Sequence, residues 1–146
     1  MKLEFLDEFK DPYMMTPLGR GVFLAGVVLG YMARSQVEKD ISIAPLFKQL
    51  EFGRLNMKAL KKLLARVPQL LAAYRESMKY SGYIASLAAE ANELILKGED
   101  QELGVEGNFA FTTGFAGASK YFWKVFGKPE EEKASDVTAD VPDARG

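Results

Sequence analysis

Between Lys48 and Lys79 the chain carries eight bases (Lys48, Arg54, Lys58, Lys61, Lys62, Arg66, Arg75 and Lys79) against two acids, Glu51 and Glu76. Lys58, Lys61, Lys62 and Arg66 recur at offsets of three and four, which on an α-helix gathers them on one side, opposite Leu60, Leu63, Leu64 and Val67. Long cationic side chains on one face of a rigid helix can follow a line of phosphates, so the chemistry on offer is sequence-independent contact with a nucleic-acid backbone. The same spacing describes a plain solvated helix face, and spacing alone leaves the two level; what favours contact is the lack of interleaved acids. Lys120 and Lys124, continued by Lys128, form a second row that either extends this surface or complements a helix dipole, the dipole being the better account. The candidate nucleic-acid-binding residues are therefore Arg54, Lys58, Lys61, Lys62, Arg66, Lys120 and Lys124.

Other chemistries are largely excluded by residue type. With no histidine and no cysteine in 146 residues, the chain has no thiolate or imidazole metal ligand, no Ser-His-Asp or Cys-His pair and no disulfide. The acid clusters are Glu99-Asp100-x-Glu102, in a glycine-flanked loop, and Glu130-Glu131-Glu132, at the start of a polar tail. Neither offers the rigid frame that acid-base or metal work needs. Gly19-Arg20-Gly21 lacks the preceding strand and the lysine of a phosphate-binding loop. The expectation is a protein without catalysis, metal or cofactor. Arg20 and Arg34, about four turns apart on nearly one helix face, are read as snorkelling out of the core. The aromatics Tyr74, Tyr80, Tyr83, Tyr121 and Trp123 can stack on bases, but core packing suits most of them better.

The elements that must hold these residues are punctuated as helices. Met1 to Lys10 reads as a short helix broken at Asp11-Pro12. Thr16-Pro17 is an N-cap with proline at the first position, opening a glycine-rich helix from Pro17 to about Gln36 that needs tertiary packing to hold it. Asp40 to Pro45 reads as a turn and Ala44 to Leu50 as a short helix. Asn56 caps the basic helix, and Pro68 starts a helical stretch through Tyr80. Another helix runs from Tyr83 to Lys97, closed by Gly98. Glu99 to Gly107 is a loop, Asn108 a cap, and Phe109 to Phe126 the last helix. Period-two runs are sparse, so the fold class is all-α: a single-domain bundle of about six helices over residues 1–128.

Composition divides the chain. Residues 130–146 hold six acids and two bases, a net of −4, whereas residues 1–129 hold 17 bases and 14 acids, a net of +3. Residues 129–146 have too little apolar surface to pack and are read as a disordered acidic tail. The most apolar run, Gly21 to Ala33, has 13 uncharged residues, short of the roughly 20 needed to cross a bilayer. The first ten residues lack a secretory signal's apolar stretch, so a cytoplasmic protein with no membrane partner is expected. Gly26-x-x-x-Gly30 suits close packing on a neighbouring core helix.

Residues 16–31, TPLGRGVFLAGVVLGY, resemble the T-P-x-x-x-G-x-F-L-x-G-x-x-x-G-Y pattern near the C-terminal end of subtype I-B CRISPR large subunits. Leu46-Phe-Lys-Gln-Leu and Arg54-Leu-Asn-Met-Lys-Ala-Leu-Lys-Lys-Leu look like that family's continuation, and Asn108 to Phe126 looks like its last helix. The resemblance covers roughly residues 12 to 128. A chain opening at Met1, just upstream of this region, is similar to the small subunit of type I Cascade, which some subtypes make by internal initiation. The resemblance implies a helical, non-catalytic subunit present in several copies inside an RNA-guided complex. Its partners would be the Cascade backbone and large subunits, other copies of itself, the crRNA and the target or displaced DNA strand, and its role would be R-loop stabilisation in antiviral defence. The basic residues are placed on that contact by charge, not by a family motif. A helical adaptor that docks a partner protein through the glycine-rich helices, its basic face merely solvated, is the rival reading.

Overall fold

A computed structural model describes residues 1–36, 52–73 and 79–128. The described residues form six α-helices, α1 Pro17–Gln36, α2 Met57–Ala65, α3 Val67–Ala73, α4 Ser81–Leu96, α5 Gly104–Ala116 and α6 Ala118–Phe126, after 3-10 helices at Glu4–Glu8 and Pro12–Met15. No strand occurs among them, and the fold is all-α. The turn expected at Asp40–Pro45, the helix expected at Ala44–Leu50, Tyr74 and the tail expected at residues 129–146 lie outside the described residues.

A helix that is apolar all round belongs in an interior, and α1 occupies it: every residue from Gly21 to Gly30 is buried. Thr16 caps it, its Oγ1 accepting from the Gly19 N–H at 2.9 Å. α1 packs most extensively on α5, then on α4 and α6. Glycines set how close these helices come. A Cβ on Gly26 would collide with the Phe111 carbonyl oxygen, one on Gly30 would sit 2.6 Å from that of Phe115, and one on Gly114 would strike that of Phe23. On the α4 side, a Cβ on Gly21 would lie 2.9 Å from the Ala91 oxygen. The Gly26-x-x-x-Gly30 spacing thus serves a contact inside this chain, as expected, and the glycine face is not available to an outside partner.

Several sequence expectations need correction. The N-terminal segment is a 3-10 turn over Glu4–Glu8, not a ten-residue helix; only Leu6 is buried on it, and Lys2 N–H is drawn instead to the Val125 oxygen at 2.8 Å. The helix expected from Tyr83 begins instead at Ser81, taking Ser81-Gly82 into its first turn. Gly98 does not cap α4 through a left-handed turn; it is small because a Cβ would lie 3.0 Å from Leu18. The last helix begins at Gly104, whose φ of 63° suits glycine at the entry, and it breaks at Gly117 into α5 and α6.

Asn108 is consequently not a cap. It is buried inside the early turns of α5, where Oδ1 accepts from the Leu55 N–H at 2.7 Å and Nδ2 donates to the oxygens of Leu55 at 2.9 Å and Gly104 at 2.8 Å. One side-chain amide thereby satisfies both main-chain groups of a buried residue just ahead of α2, and fixes where that helix starts. Asn56 then caps α2, its Oδ1 accepting from the Ala59 N–H at 2.8 Å.

Two stability measurements follow. Gly26→Ala should lower the urea midpoint by the equivalent of about 2 kcal/mol or more, because overpacking against fixed backbone outweighs the helix propensity gained; Gly82→Ala, which meets nothing within 4 Å, should be neutral or stabilising by up to about 1 kcal/mol. Asn108→Ala strands two buried main-chain groups of Leu55 and should cost on the order of 2–4 kcal/mol, with amide exchange of Leu55 to Leu60 accelerating ahead of that in α1.

Candidate nucleic-acid interface

The basic surface is built on α2. Leu60 and Leu64 turn into the core, and this places Lys58, Lys62 and Arg66 on the exposed side. The i, i+4, i+8 spacing sets the three cations in a row with about 6 Å between steps. Arg54 is exposed just before the Asn108-held Leu55. Lys61 stands at the edge, half-exposed, where its ammonium pairs with the Glu99 carboxylate in the turn after α4. Among the described residues no acidic side chain pairs with Arg54, Lys58 or Lys62. The row is thus carried on a helix pinned at its N-terminal approach by a side-chain amide and along its inner face by leucines.

The second row lies elsewhere. Lys120 and Lys124 are exposed on α6, which packs on α1, whereas α2 packs on α3 and α4. The Lys120 ammonium sits 5.4 Å from the Tyr121 ring centre and that of Lys124 sits 5.9 Å from the Phe5 ring centre, contacts that hold a cation against an aromatic face. Both line a hollow with Glu8, Phe5 and Phe9. An acid and two rings already attend these lysines.

Arg20 and Arg34 are structural. Arg20 reaches back to the turns before α1, donating from Nε to the Met14 oxygen at 2.9 Å and pairing with Asp7 at 2.6 Å. Arg34 donates to the oxygens of Gly30, Phe115 and Ala116 at 3.1, 2.9 and 2.9 Å. The last two are carbonyls at the α5 C-terminus, and a cation there suits the helix dipole. Burial lowers the Arg34 pKa from its ordinary value, yet a guanidinium stays charged. The arginines were expected to snorkel; Arg34 instead ties α1 to the break between α5 and α6.

Of the aromatics expected to pack, the described ones, Tyr80, Tyr83, Tyr121 and Trp123, do so. Tyr31 stacks on Phe122 at 3.9 Å, Tyr83 on Phe126 at 4.4 Å and on Tyr80 at 5.9 Å, and Trp123 meets Tyr80 edge-on at 4.9 Å. Tyr83 stays exposed although it stacks on both Phe126 and Tyr80. The Tyr13 hydroxyl is buried without a hydrogen-bond partner among the described residues, and its pKa is raised, first by desolvation and then by Glu106 and Asp11.

One surface escaped the sequence. An apolar groove of about 880 Å³ runs between the α2–α3 corner and α4, lined among others by Leu64, Leu71, Ala85, Ala89 and Leu96. The alanines of α4 that line it, Ala85 and Ala89, gave no sign of it, because small residues carry no mark of which side faces solvent. Among the described residues no cluster of three or more acids, histidines or cysteines is placed to hold a metal, and no helix is long and apolar enough to cross a membrane.

Residues 2–129 match the model of one family, described as the C-terminal domain of the CRISPR-associated protein TM1802. No curated protein and no solved structure matches the chain. The family match spans all the described helices and agrees with the CRISPR resemblance carried by residues 16–31, without specifying subtype or subunit. The chain belongs to the CRISPR-associated TM1802 C-terminal domain family.

Proposed function

We propose that the chain is a non-catalytic small subunit of a Cascade-type, RNA-guided CRISPR complex in the cytoplasm, and that the α2 face, Arg54, Lys58, Lys61, Lys62 and Arg66, contacts a nucleic-acid backbone there. The observation that carries the reading is an exposed cation row, without an acid of its own helix, on a rigid member of a CRISPR-associated fold. In such assemblies base pairing reads sequence, and protein supplies positive charge and shape to crRNA and to the target or displaced DNA strand. Partners in this reading are the backbone and large subunits and further copies of the chain, and the contact favours the open R-loop. Lys120 and Lys124, already attended by Glu8 and two rings, are secondary contributors.

The rival adaptor reading has to use a surface other than the glycine helices, since α1 and α5 spend those glycines on each other; among the described residues the apolar groove beside α4 offers it one. Lys58→Gln, Lys61→Gln, Lys62→Gln and Arg66→Gln combined separate the readings. With Lys58 and Lys62 alone counted, the slope of log affinity against log salt for the assembled complex should shrink by at least about 1.4 to 1.8 units, with thermal stability nearly unchanged. An unchanged affinity and slope would favour the adaptor.

A further inference from the structure

α5 turns its glycine face inward and leaves its opposite face to solvent. Gly107, Ala110, Phe111 and Gly114 are buried, while Val105 and Phe109 stand 88% and 66% exposed and Ala116 is exposed beyond them. Val105, Phe109, Thr112 and Ala116 follow at steps of four, three and four, which on an α-helix draws one stripe about 16 Å long. Two large apolar side chains set side by side in water mark a surface made for contact.

The stripe is complementary to itself. Its bulk, Val105 and Phe109, lies in the first half, and its small residues, Thr112 and Ala116, lie in the second. When a second copy is laid antiparallel about a two-fold point midway between positions 110 and 111, Val105 faces Ala116 of that copy and Phe109 faces its Thr112. Large then meets small at each step, and both pairs share the one axis that an isologous contact requires. Charge agrees with the direction. Glu106 is exposed near the N-terminal end of α5, whereas Arg34 is held on the carbonyls of Phe115 and Ala116 at its C-terminal end. Antiparallel copies bring each Glu106 to the end where the other chain's Arg34 sits, while parallel copies would set Glu106 beside Glu106.

We infer that a second copy of the chain docks on this face, α5 against α5 in antiparallel order. The inference rests on the proposed function only for its further copies of the chain and makes no use of the α2 cations. A seam about 16 Å long and roughly 10 Å wide is far smaller than the roughly 800 Å² per partner of a standard interface. The pairing is therefore weak and reversible in the free chain, and it strengthens where copies are already held side by side.

The chain has no cysteine, so introduced thiols report the register directly. Mixed Val105→Cys and Ala116→Cys chains, treated with a short bismaleimide, should give the mixed dimer. Val105→Cys alone, its two thiols about 16 Å apart along the antiparallel seam, should give several-fold less. A mixed yield no higher than that of Ser86→Cys, exposed on α4, or equal to that of Val105→Cys alone, would overturn the inference. Sedimentation equilibrium of the full chain supplies the second arm. Its mass should rise toward that of a dimer with concentration, and Phe109→Asp should raise the dimer Kd at least about tenfold. Val105→Glu repeats the test at the more exposed position. A dimer indifferent to both variants, or a chain monomeric in both assays, leaves the face to another occupant and overturns the inference. Oligonucleotide affinity measured alongside keeps the two proposals apart: loss of the dimer in Phe109→Asp with an unchanged salt slope supports docking and leaves the α2 reading standing. A slope untouched by Lys58→Gln and Lys62→Gln with the dimer intact removes the α2 reading and leaves docking in place.

Discussion

The backbone contact between α1 and α5 is the constraint from which the rest descends. At Gly26, Gly30 and Gly114 the two helices come so close that a methyl group would meet a carbonyl oxygen. No side chain can fill that seam, so its stability comes from dispersion between well-fitted backbones and from the apolar residues flanking it. Because α5 is held there, its Asn108 stands where it can grip Leu55, and Leu55 in turn sets the start of α2. Arg34 reinforces the seam at its far end by donating to the last carbonyls of α5. The cations on α2 are therefore placed by a chain of contacts that begins three elements away.

Much of this was legible in the residues and some was not, for physical reasons. Thr16-Pro17 and Asn56 are local capping signals, and each caps the helix it announces. The amphipathic pattern of α2 correctly separates Leu60 and Leu64 from Lys58 and Lys62, because a helix with one wet face writes its orientation into its period. Asn108 misled because an asparagine ahead of an apolar run looks the same whether its amide serves its own helix or a strand of chain 53 residues away. Gly114 makes room for Phe23 whereas Gly117 ends α5, and only the packing partner distinguishes the two uses. Arg34 was read by its habit of reaching for water, yet three carbonyls lay closer.

For function, the important contrast is between two basic rows of similar sequence appearance. On α6 the lysines rest over aromatic rings beside Glu8, a setting in which charge assists local packing. On α2 Lys58 and Lys62 stand in the open on a helix without an acid, where their charge acts mainly on whatever approaches. Membership of a CRISPR-associated family supplies the context in which a sequence-independent polyanion contact has a use.

The most direct measurement is lysine footprinting by acetylation of the assembled CRISPR complex, with and without its guide and target strands. The account predicts that Lys58 and Lys62 are protected when the strands are present, while Lys97, exposed at the end of α4, keeps its reactivity. Full reactivity of Lys58 and Lys62 in the strand-bound complex would contradict it.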